Sequence, residues 1–308
     1  MRPSAGGVRR CVTAVLGLTI LGLLSARALG SGRQTSFRAT VDVIRVDTTV
    51  LDGKVPVPNL SAKEFRLTDD GVEQAVQAVA IEDEPIDVTL LVDTSGSTAG
   101  ELGTFRTSVR RLAGLLRPID RVRLVTAASQ VDEVFGMQSP NQPIPVDAIR
   151  TQGLTAINDG LIYAFAWDPG PDRRHLIVAF TDGEDNESIS SSDLILGVAS
   201  RVDAVLHVVL SDSSERSDSR QPSQLRDFEQ ASRAAFVEAA KRTGGEIHEV
   251  ADTVTAFKAI FEEYRQSYTL YYTPHGVPAS GWHDIVVAVT TAEGSRLTVR
   301  ARKGYIGG

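Results

Sequence analysis

The run Asp93-Thr94-Ser95-Gly96-Ser97 has residue types and a spacing that suit a metal-binding loop. An apolar stretch, Ile86 to Val92, ends there abruptly in a carboxylate, two hydroxyls and a glycine. A near-continuous Val/Ile/Leu run reads as a buried parallel strand, and in open α/β sheets ligands sit beyond the carboxyl ends of the strands. Asp93, Ser95 and Ser97 are two apart, so their side chains can converge on one point. Oxygen ligands of this kind suit a hard cation such as Mg²⁺ or Mn²⁺. Two further places are expected at the same edge. Gly153-Leu154-Thr155-Ala156 opens a helix that begins near Ile157, and Thr181-Asp182-Gly183 closes a buried strand over His175–Phe180. The set then offers three hydroxyls and two carboxylates. Direct ligation by Ser95, Ser97 and Thr155 would leave the ion electron-poor and receptive to an anion, with Asp93 and Asp182 acting through waters. The pentapeptide alone also suits a turn with capping hydroxyls; Thr155 and Asp182 in register favour the metal. Glu184 and Asp185 are expected to be solvated loop acids, with ligand orientation as the alternative.

The elements that must position these residues read as an α/β domain. From Ile86 to about Tyr264, apolar strands alternate with helical periods, which predicts a Rossmann-like, mostly parallel central sheet flanked by helices. Strands are expected at 86–92, 121–127, 131–135, 175–180, 204–210 and 246–250. Helices are expected through Phe105–Leu116, Ile157–Phe165, Leu194–Val202, Phe228–Ala239 and about 253–266, with Gly244-Gly245 ending the fourth. Residues 38–82 are β-rich. Thr40–Leu51 alternates with a slip of phase, which predicts a bulge. Ser61–Glu64 reads as a capping box, and Asp70-Gly71 as a hairpin turn between Phe65–Asp69 and Val72–Ile81. After Ser267, the stretches Tyr268–Thr273, Asp284–Thr290 and Arg296–Arg302 alternate again. Neither β-rich end suffices for a core, so both are expected to join in one antiparallel sandwich of about seven strands, with the α/β domain inserted. Ser211–Gln224, rich in Ser, Asp and Arg, reads as a surface loop.

The 308 residues are 42 % hydrophobic and 23 % charged, an ordinary globular balance. Residues 1–28 read as a secretory signal peptide: Arg2, Arg9 and Arg10, an apolar run from Cys11 to Leu24, then Ala26-Arg27-Ala28 as the cleavage site. An uncleaved anchor is the alternative, and Arg9-Arg10 does not make a persuasive twin-arginine signal. Residues 29–37 read as a linker. Cys11 is the sole cysteine, so the mature chain is expected to carry no disulfide and to rest on its core. Removing the four arginines of residues 1–28, which carry no acid, takes the net charge from −7 to −11. An acidic chain with no basic block is a poor nucleic-acid binder, and no second apolar stretch approaches a membrane span. Catalytic signatures are missing. The histidines, at 175, 207, 248, 275 and 283, lack metal-ligand spacing; no G-x-S-x-G elbow or phosphate-binding loop occurs. Asp69-Asp70 reads as turn residues, and Tyr271, Tyr272 and Trp282 as core or sandwich-face packing, with an aromatic contact patch as the alternative.

Asp93-Thr94-Ser95-Gly96-Ser97 matches the D-x-S-x-S of the von Willebrand factor type A domain, and Thr155 and Asp182 fall where that family's other two positions fall. The chain over residues 85–266 resembles that family, including Ala239–Gly245 and Phe257–Tyr264 near its end. The resemblance implies a metal-ion-dependent adhesion site formed by Asp93, Ser95, Ser97, Thr155 and Asp182. It would hold Mg²⁺, with Mn²⁺ or Ca²⁺ as alternatives, and its open position would be filled by water or by an Asp or Glu of a partner protein. It also implies that ligation is coupled to a shift of the last helix. A narrower resemblance covers Val50–Leu60, Glu64-Phe65, Asp69–Gln74, Tyr268–Tyr272 and Arg300–Tyr305. It is to the proteins related to this domain that are common in Acidobacteria. The expectation is therefore a signal peptide (1–28), an N-terminal β segment (38–84), a type A domain (85–266) and a C-terminal β segment (267–306) packing with the first. The expected product is an exported, periplasmic or secreted, non-enzymatic module that binds a protein through a metal. A structural or assembly factor of an envelope complex is the alternative.

Overall fold

The computed structural model describes residues 43–80, 84–170, 172–210, 223–249, 253–290 and 297–308. All belong to one of the chain's two compact units, Val41–Gly308. The expectations for the signal peptide, its cleavage site, Cys11 and the linker lie outside the described residues, as does 211–222 of the expected loop. Residues 223 and 224 instead open a helix. In chain order the strands and helices are β1 (Ile44–Asp52), β2 (Val55–Pro56), β3 (Phe65–Asp69), β4 (Val72–Gln74), β5 (Val76–Ala80), β6 (Ile86–Asp93), α1 (Leu102–Leu112), β7 (Arg121–Ala127), β8 (Val131–Gln138) and α2 (Ile157–Phe165). There follow β9 (Arg174–Thr181), α3 (Ser192–Ala199), β10 (Ala204–Leu210), α4 (Ser223–Thr243), β11 (Ile247–Glu249), α5 (Thr253–Arg265), β12 (Tyr268–Tyr272), β13 (Gly281–Val289), β14 (Thr298–Ala301) and β15 (Gly304–Gly307).

The α/β part is built on a six-stranded sheet of order β11-β10-β9-β6-β7-β8. It is parallel except for β8, which turns back antiparallel on β7. Every residue of β6, β9 and β10 is buried, because helices cover both faces. On one face, Val88, Leu90, Leu124 and Val178 pack with Phe105, Val109 and Leu112 of α1 and with Phe257, Ile260 and Phe261 of α5. On the other, Leu91, Val125, Ile177 and Leu206 pack with residues of α2, α3 and α4. Gly160 lets α2 come close: a Cβ there would lie 2.8 Å from the Leu91 side chain and 2.9 Å from Ala127 Cβ. The chain runs from β6 outward to β7 and β8, then crosses back to β9 on the other flank of β6 and on to β10 and β11. The strand order therefore reverses between β6 and β9, and a crevice at their carboxyl ends follows from that reversal.

The two β-rich ends form two antiparallel sheets. One has the order β14-β1-β12-β5, with β2 on β1; the other is β15-β13-β3-β4. N- and C-terminal strands interleave, with β1 between β12 and β14, and β3 between β13 and β4. Between the sheets lie Val46, Val50, Phe65, Leu67, Tyr268, Leu270, Tyr272, Ile285 and Tyr305. The expectation of about seven strands is low because β2 and β15 are too short to show a period, and because Val72–Ile81 is not one strand. It breaks at Ala75: β4 pairs with β3 in one sheet, and β5 crosses to pair with β12 in the other. The expected bulge is also corrected. β1 starts at Ile44 and runs in unbroken register along β12 and β14, so the slip of phase marks the strand's start, and Val43 before it is exposed. Asp70 (φ 47°) and Gly71 (φ 78°) both take left-handed conformations, as a tight hairpin with right-handed strand twist requires. Trp282 packs on the outer face of its sheet, against Gly304 of β15, 40 % exposed, with its indole N–H on Asp284 Oδ1 at 2.7 Å.

Arg174, at the first position of β9, ties the two parts together. It is fully buried and its guanidinium lies 3.7 Å from the centre of the Tyr264 ring. It donates to Tyr264 O (2.8 Å) and Ser267 Oγ (2.7 Å) and reaches Asp47 of β1 at 3.4 Å. Asp47 also accepts from the hydroxyls of Tyr264 and Thr269, both at 3.1 Å. The positive charges of Arg174 and Arg45 hold the Asp47 carboxyl below the usual range, against the opposing effect of burial.

Candidate metal centre

Three loops meet at the carboxyl ends of β6 and β9, and main-chain hydrogen bonds stitch them together. After Asp93 the chain turns at once. Ser95 N–H donates to Asp93 Oδ1 (2.9 Å), and Thr98 Oγ1 donates to the carbonyls of Asp93 (3.0 Å) and Ser95 (3.1 Å), closing a 3₁₀ turn over Ser97–Gly100. The second loop is held against the first by Gln152 N–H on Thr94 O (2.9 Å) and Gly96 N–H on Gly153 O (3.2 Å). Gly153 has φ 67°, and a Cβ there would collide with the Ser129 hydroxyl, so this close approach requires glycine. The third loop follows Thr181. Asn186 Oδ1 accepts Thr155 N–H at 2.8 Å, while Thr155 O accepts the N–H groups of Asn186 and Glu187, both at 3.0 Å.

This stitching brings the expected residues to one edge. Ser95 and Ser97 are in contact, Oγ to Oγ 2.9 Å. Asp93 Oδ2 accepts the Thr181 hydroxyl at 3.0 Å, and Thr181 Oγ1 in turn accepts Gly183 N–H at 3.0 Å. Asp182 Oδ1 accepts Glu184 N–H at 3.1 Å. Asp93, Ser95, Thr155 and Asp182 are buried; Ser97 is half-buried. Burial, and next the negative charge of Asp182, push the Asp93 carboxyl up to about 7. Two buried acids whose charges act on each other call for a positive charge between or beside them. The available donors are all oxygens, which fits a hard divalent cation and no softer one. Each Asp93 oxygen already accepts one internal donor, in keeping with a role in positioning the loop and holding waters.

Several supporting residues are absent from the sequence-based set. Thr181 orients Asp93, and Thr98 locks the turn. Asp185 was expected to be solvated, but it is 2 % exposed. It accepts Asn158 N–H (2.8 Å), Ser188 N–H (3.2 Å) and Ser188 Oγ–H (2.7 Å), so it fastens the third loop to the first turn of α2. Asp159 does the same with the N–H groups of Ile189 (3.0 Å) and Ser190 (2.8 Å). The spacing Asp185-x-x-Ser188, an acid followed three residues on by a hydroxyl, was the available signal.

Fold and site together define a class: an open α/β domain with an oxygen-lined crevice at its topological switch point. Residues 87–217 match the sequence model of the von Willebrand factor type A domain, and the chain carries such a domain. No curated protein matches the chain in sequence. Among solved structures, it is similar to the conserved hypothetical protein BatB from Bacteroides thetaiotaomicron, with 18 % identity, 58 % of this chain and 96 % of that chain covered, and a TM-score of 0.43. It is also similar to a von Willebrand factor type A protein from Catenulispora acidiphila (10 % identity, 87 % and 75 % covered, TM-score 0.45). A third is the ArnB paralog VWA2 from Sulfolobus acidocaldarius (10 % identity, 85 % and 75 % covered, TM-score 0.46). No helix among the described residues is long and apolar enough to cross a membrane.

Proposed function

We propose that this chain is an exported protein-binding module, periplasmic or secreted, that grips an Asp or Glu of a partner protein through a divalent cation. Ser95, Ser97 and Thr155 would hold Mg²⁺, or Mn²⁺ or Ca²⁺ in its place, directly, and Asp93 and Asp182 would hold it through waters. When bound, the cation supplies the positive charge that lets two acidic surfaces meet. The observation that carries the reading is the pairing of buried Asp93 and Asp182 beside the Ser95 and Ser97 hydroxyls, at a crevice built by three stitched loops. The chain's own residues do the remaining work. The Thr98, Gly153 and Asn186 contacts fix the loops beforehand, so little ordering is left for the moment of binding. The formal net charge of −7 makes an acidic partner unfavourable without a cation. Nothing in the site resembles a nucleophile–base pair, and the module is read as non-enzymatic.

The test is a pull-down from the native envelope fraction in Mg²⁺ and in chelator, with wild type and Asp93→Ala. The module reading expects a partner held in Mg²⁺, released by chelator and missed by a folded Asp93→Ala. Binding that survives both chelator and Asp93→Ala would establish an assembly factor whose cation only stabilises the domain.

A further inference from the structure

Three aspartates among the described residues are wholly excluded from solvent: Asp69, Asp87 and Asp120. Two are neutralised by arginine. Asp87 meets Arg121 and Arg173, and Asp120 meets Arg265 at 2.7 Å. Asp69 faces an imidazole instead: His283 Nδ1 lies 2.8 Å from its Oδ1. A buried carboxylate needs a full positive charge nearby.

The surroundings are those of a ligating carboxylate. Asp69 Oδ2 accepts the hydroxyls of Tyr272 (2.8 Å) and Tyr305 (3.0 Å), which come from β12 and β15. These two bonds fix the carboxylate plane and turn Oδ1 toward His283. The imidazole stacks on the Tyr305 ring, centroids 4.5 Å apart, and is 2 % exposed. Asp70, at the hairpin turn, brings a second carboxylate: its Oδ1 accepts Asp284 N–H at 2.9 Å, and its Oδ2 lies 3.6 Å from His283 Nδ1. The three donor atoms lie within 4.8 Å of one another. Ligand atoms about 2.0–2.1 Å from a tetrahedral ion stand roughly 3.3 Å apart, and 2.8 Å and 3.6 Å bracket that value. Asp70 is on the exposed side of the cluster, which leaves a position for water.

We propose that Asp69 Oδ1, Asp70 Oδ2 and His283 Nδ1 form a second cation site in the sandwich, suited to Zn²⁺ or a similar borderline ion with water as the fourth ligand. One nitrogen and two carboxylate oxygens separate it from the all-oxygen set at Asp93. His283 binds as the neutral tautomer with its proton on Nε2. Hydrogen bonds from Tyr272 and Tyr305 to the ligating carboxylate play the supporting part that metal sites require. The site joins the β3–β4 hairpin to β13, 214 residues away in the chain, and so staples the two β-rich ends together.

Asp70→Asn is the decisive variant. Asn is at home at positive φ and keeps an acceptor for Asp284 N–H, so the hairpin survives while a ligand charge is lost. The full chain, stripped with chelator and held in excess Mg²⁺ to satisfy the Asp93 site, is titrated with Zn²⁺ against a chromogenic chelator. Thermal unfolding is followed in parallel. The expected result is one Zn²⁺ per wild-type chain with a rise in Tm. Asp70→Asn should bind about tenfold more weakly or worse, His283→Gln should not bind, and Asp93→Ala should leave the Zn²⁺ in place. The proposal is overturned if wild type takes up no Zn²⁺, if Asp70→Asn binds as tightly as wild type, or if Asp93→Ala removes the ion.

Discussion

Replacing Arg174 with Met tests whether the α/β domain and the sandwich are one cooperative unit. The side chain is fully buried and makes two short bonds, to Tyr264 O and Ser267 Oγ, plus an ion pair with Asp47 at 3.4 Å. Met has similar bulk, so packing on the Tyr264 ring is largely kept and the loss is polar. It removes one donor from Tyr264 O, which keeps Ser267 Oγ–H, one from Ser267 Oγ, and one cation from Asp47. Breaking a buried pair from one side costs about 3–5 kcal/mol. Arg45, 3.4 Å from Asp47 Oδ1, and the Thr269 and Tyr264 hydroxyls remain on Asp47 and place the expected loss near the lower end, about 3 kcal/mol. Asp47→Asn alone keeps the bulk and one acceptor oxygen and should cost less, and the double variant should fall short of the sum by about 1–2 kcal/mol, since both lose the same pair. Urea unfolding monitored by far-UV circular dichroism and tryptophan fluorescence gives all three numbers. A loss under about 1 kcal/mol for Arg174→Met, or strict additivity, would refute the clamp, because surface pairs behave that way.

Two further outcomes follow from buried groups. Burial, and next the charge of Arg123, push the His175 imidazole down to about 3, and its Nε2 lies 2.8 Å from Thr89 Oγ1. The unfolded chain takes up that proton near pH 6.5 while the folded chain resists it. Stability is therefore complete above about pH 6.5 and falls as pH drops toward 3, by up to about 4–5 kcal/mol in all; His175→Gln should flatten the pH 6 to 4 limb of an unfolding series by about one proton. Glycine substitutions should split in sign. A Cβ at Gly245 would collide with Leu206 O, whereas one at Gly103, exposed in α1, meets nothing within 4 Å. Gly245→Ala should lose about 3 kcal/mol or more, Gly103→Ala should gain about 0.5–1 kcal/mol, and equal effects in chemical denaturation would count against the packing described.

The α/β part was legible because its strands are buried on both faces and read as unbroken apolar runs. Ile86–Asp93, Arg174–Thr181 and Ala204–Leu210 all lie within a residue or so of the expected bounds. The sandwich was harder. A strand such as Val72–Ala80 that changes sheets at Ala75 keeps its alternation through the break, so periodicity does not mark the crossing. At the candidate site, strand ends and hydroxyl spacing are what single out Asp93, Ser95, Ser97, Thr155 and Asp182 as the expected set. The role of Thr181 stayed hidden, and that of Asp185 stood only as an alternative, because both depend on which loop lies opposite. Asp69 is the plainest case: next to Asp70 and Gly71 it looks like any turn acid, and only β13 and β15, more than 200 residues on, supply His283 and Tyr305.

The same geometry constrains how a signal could leave the candidate metal centre. Asp93 bonds Thr181, its neighbour Phe180 packs on Phe257 of α5 with centroids 4.5 Å apart, and Tyr264 in the last turn of α5 bonds Asp47 of β1. The family resemblance implies that this last helix shifts on ligation. Here α5 runs on one residue past Tyr264 to Arg265 and β12 starts at Tyr268, so only Gln266 and Ser267 lie between them, and Ser267 is itself held by Arg174 and by Tyr264 O. Two residues span about 7 Å fully extended, and these are already engaged, so they hold no slack for a one-turn shift of about 5.4 Å. Arg265 is paired with Asp120, and Glu263 with Arg300 of β14. A moving α5 must therefore either break these contacts together or carry β12 and β14 with it. A shift of α5 would have to carry the sandwich, and hydrogen exchange in 253–272 should change as one block on adding Mg²⁺ or not at all.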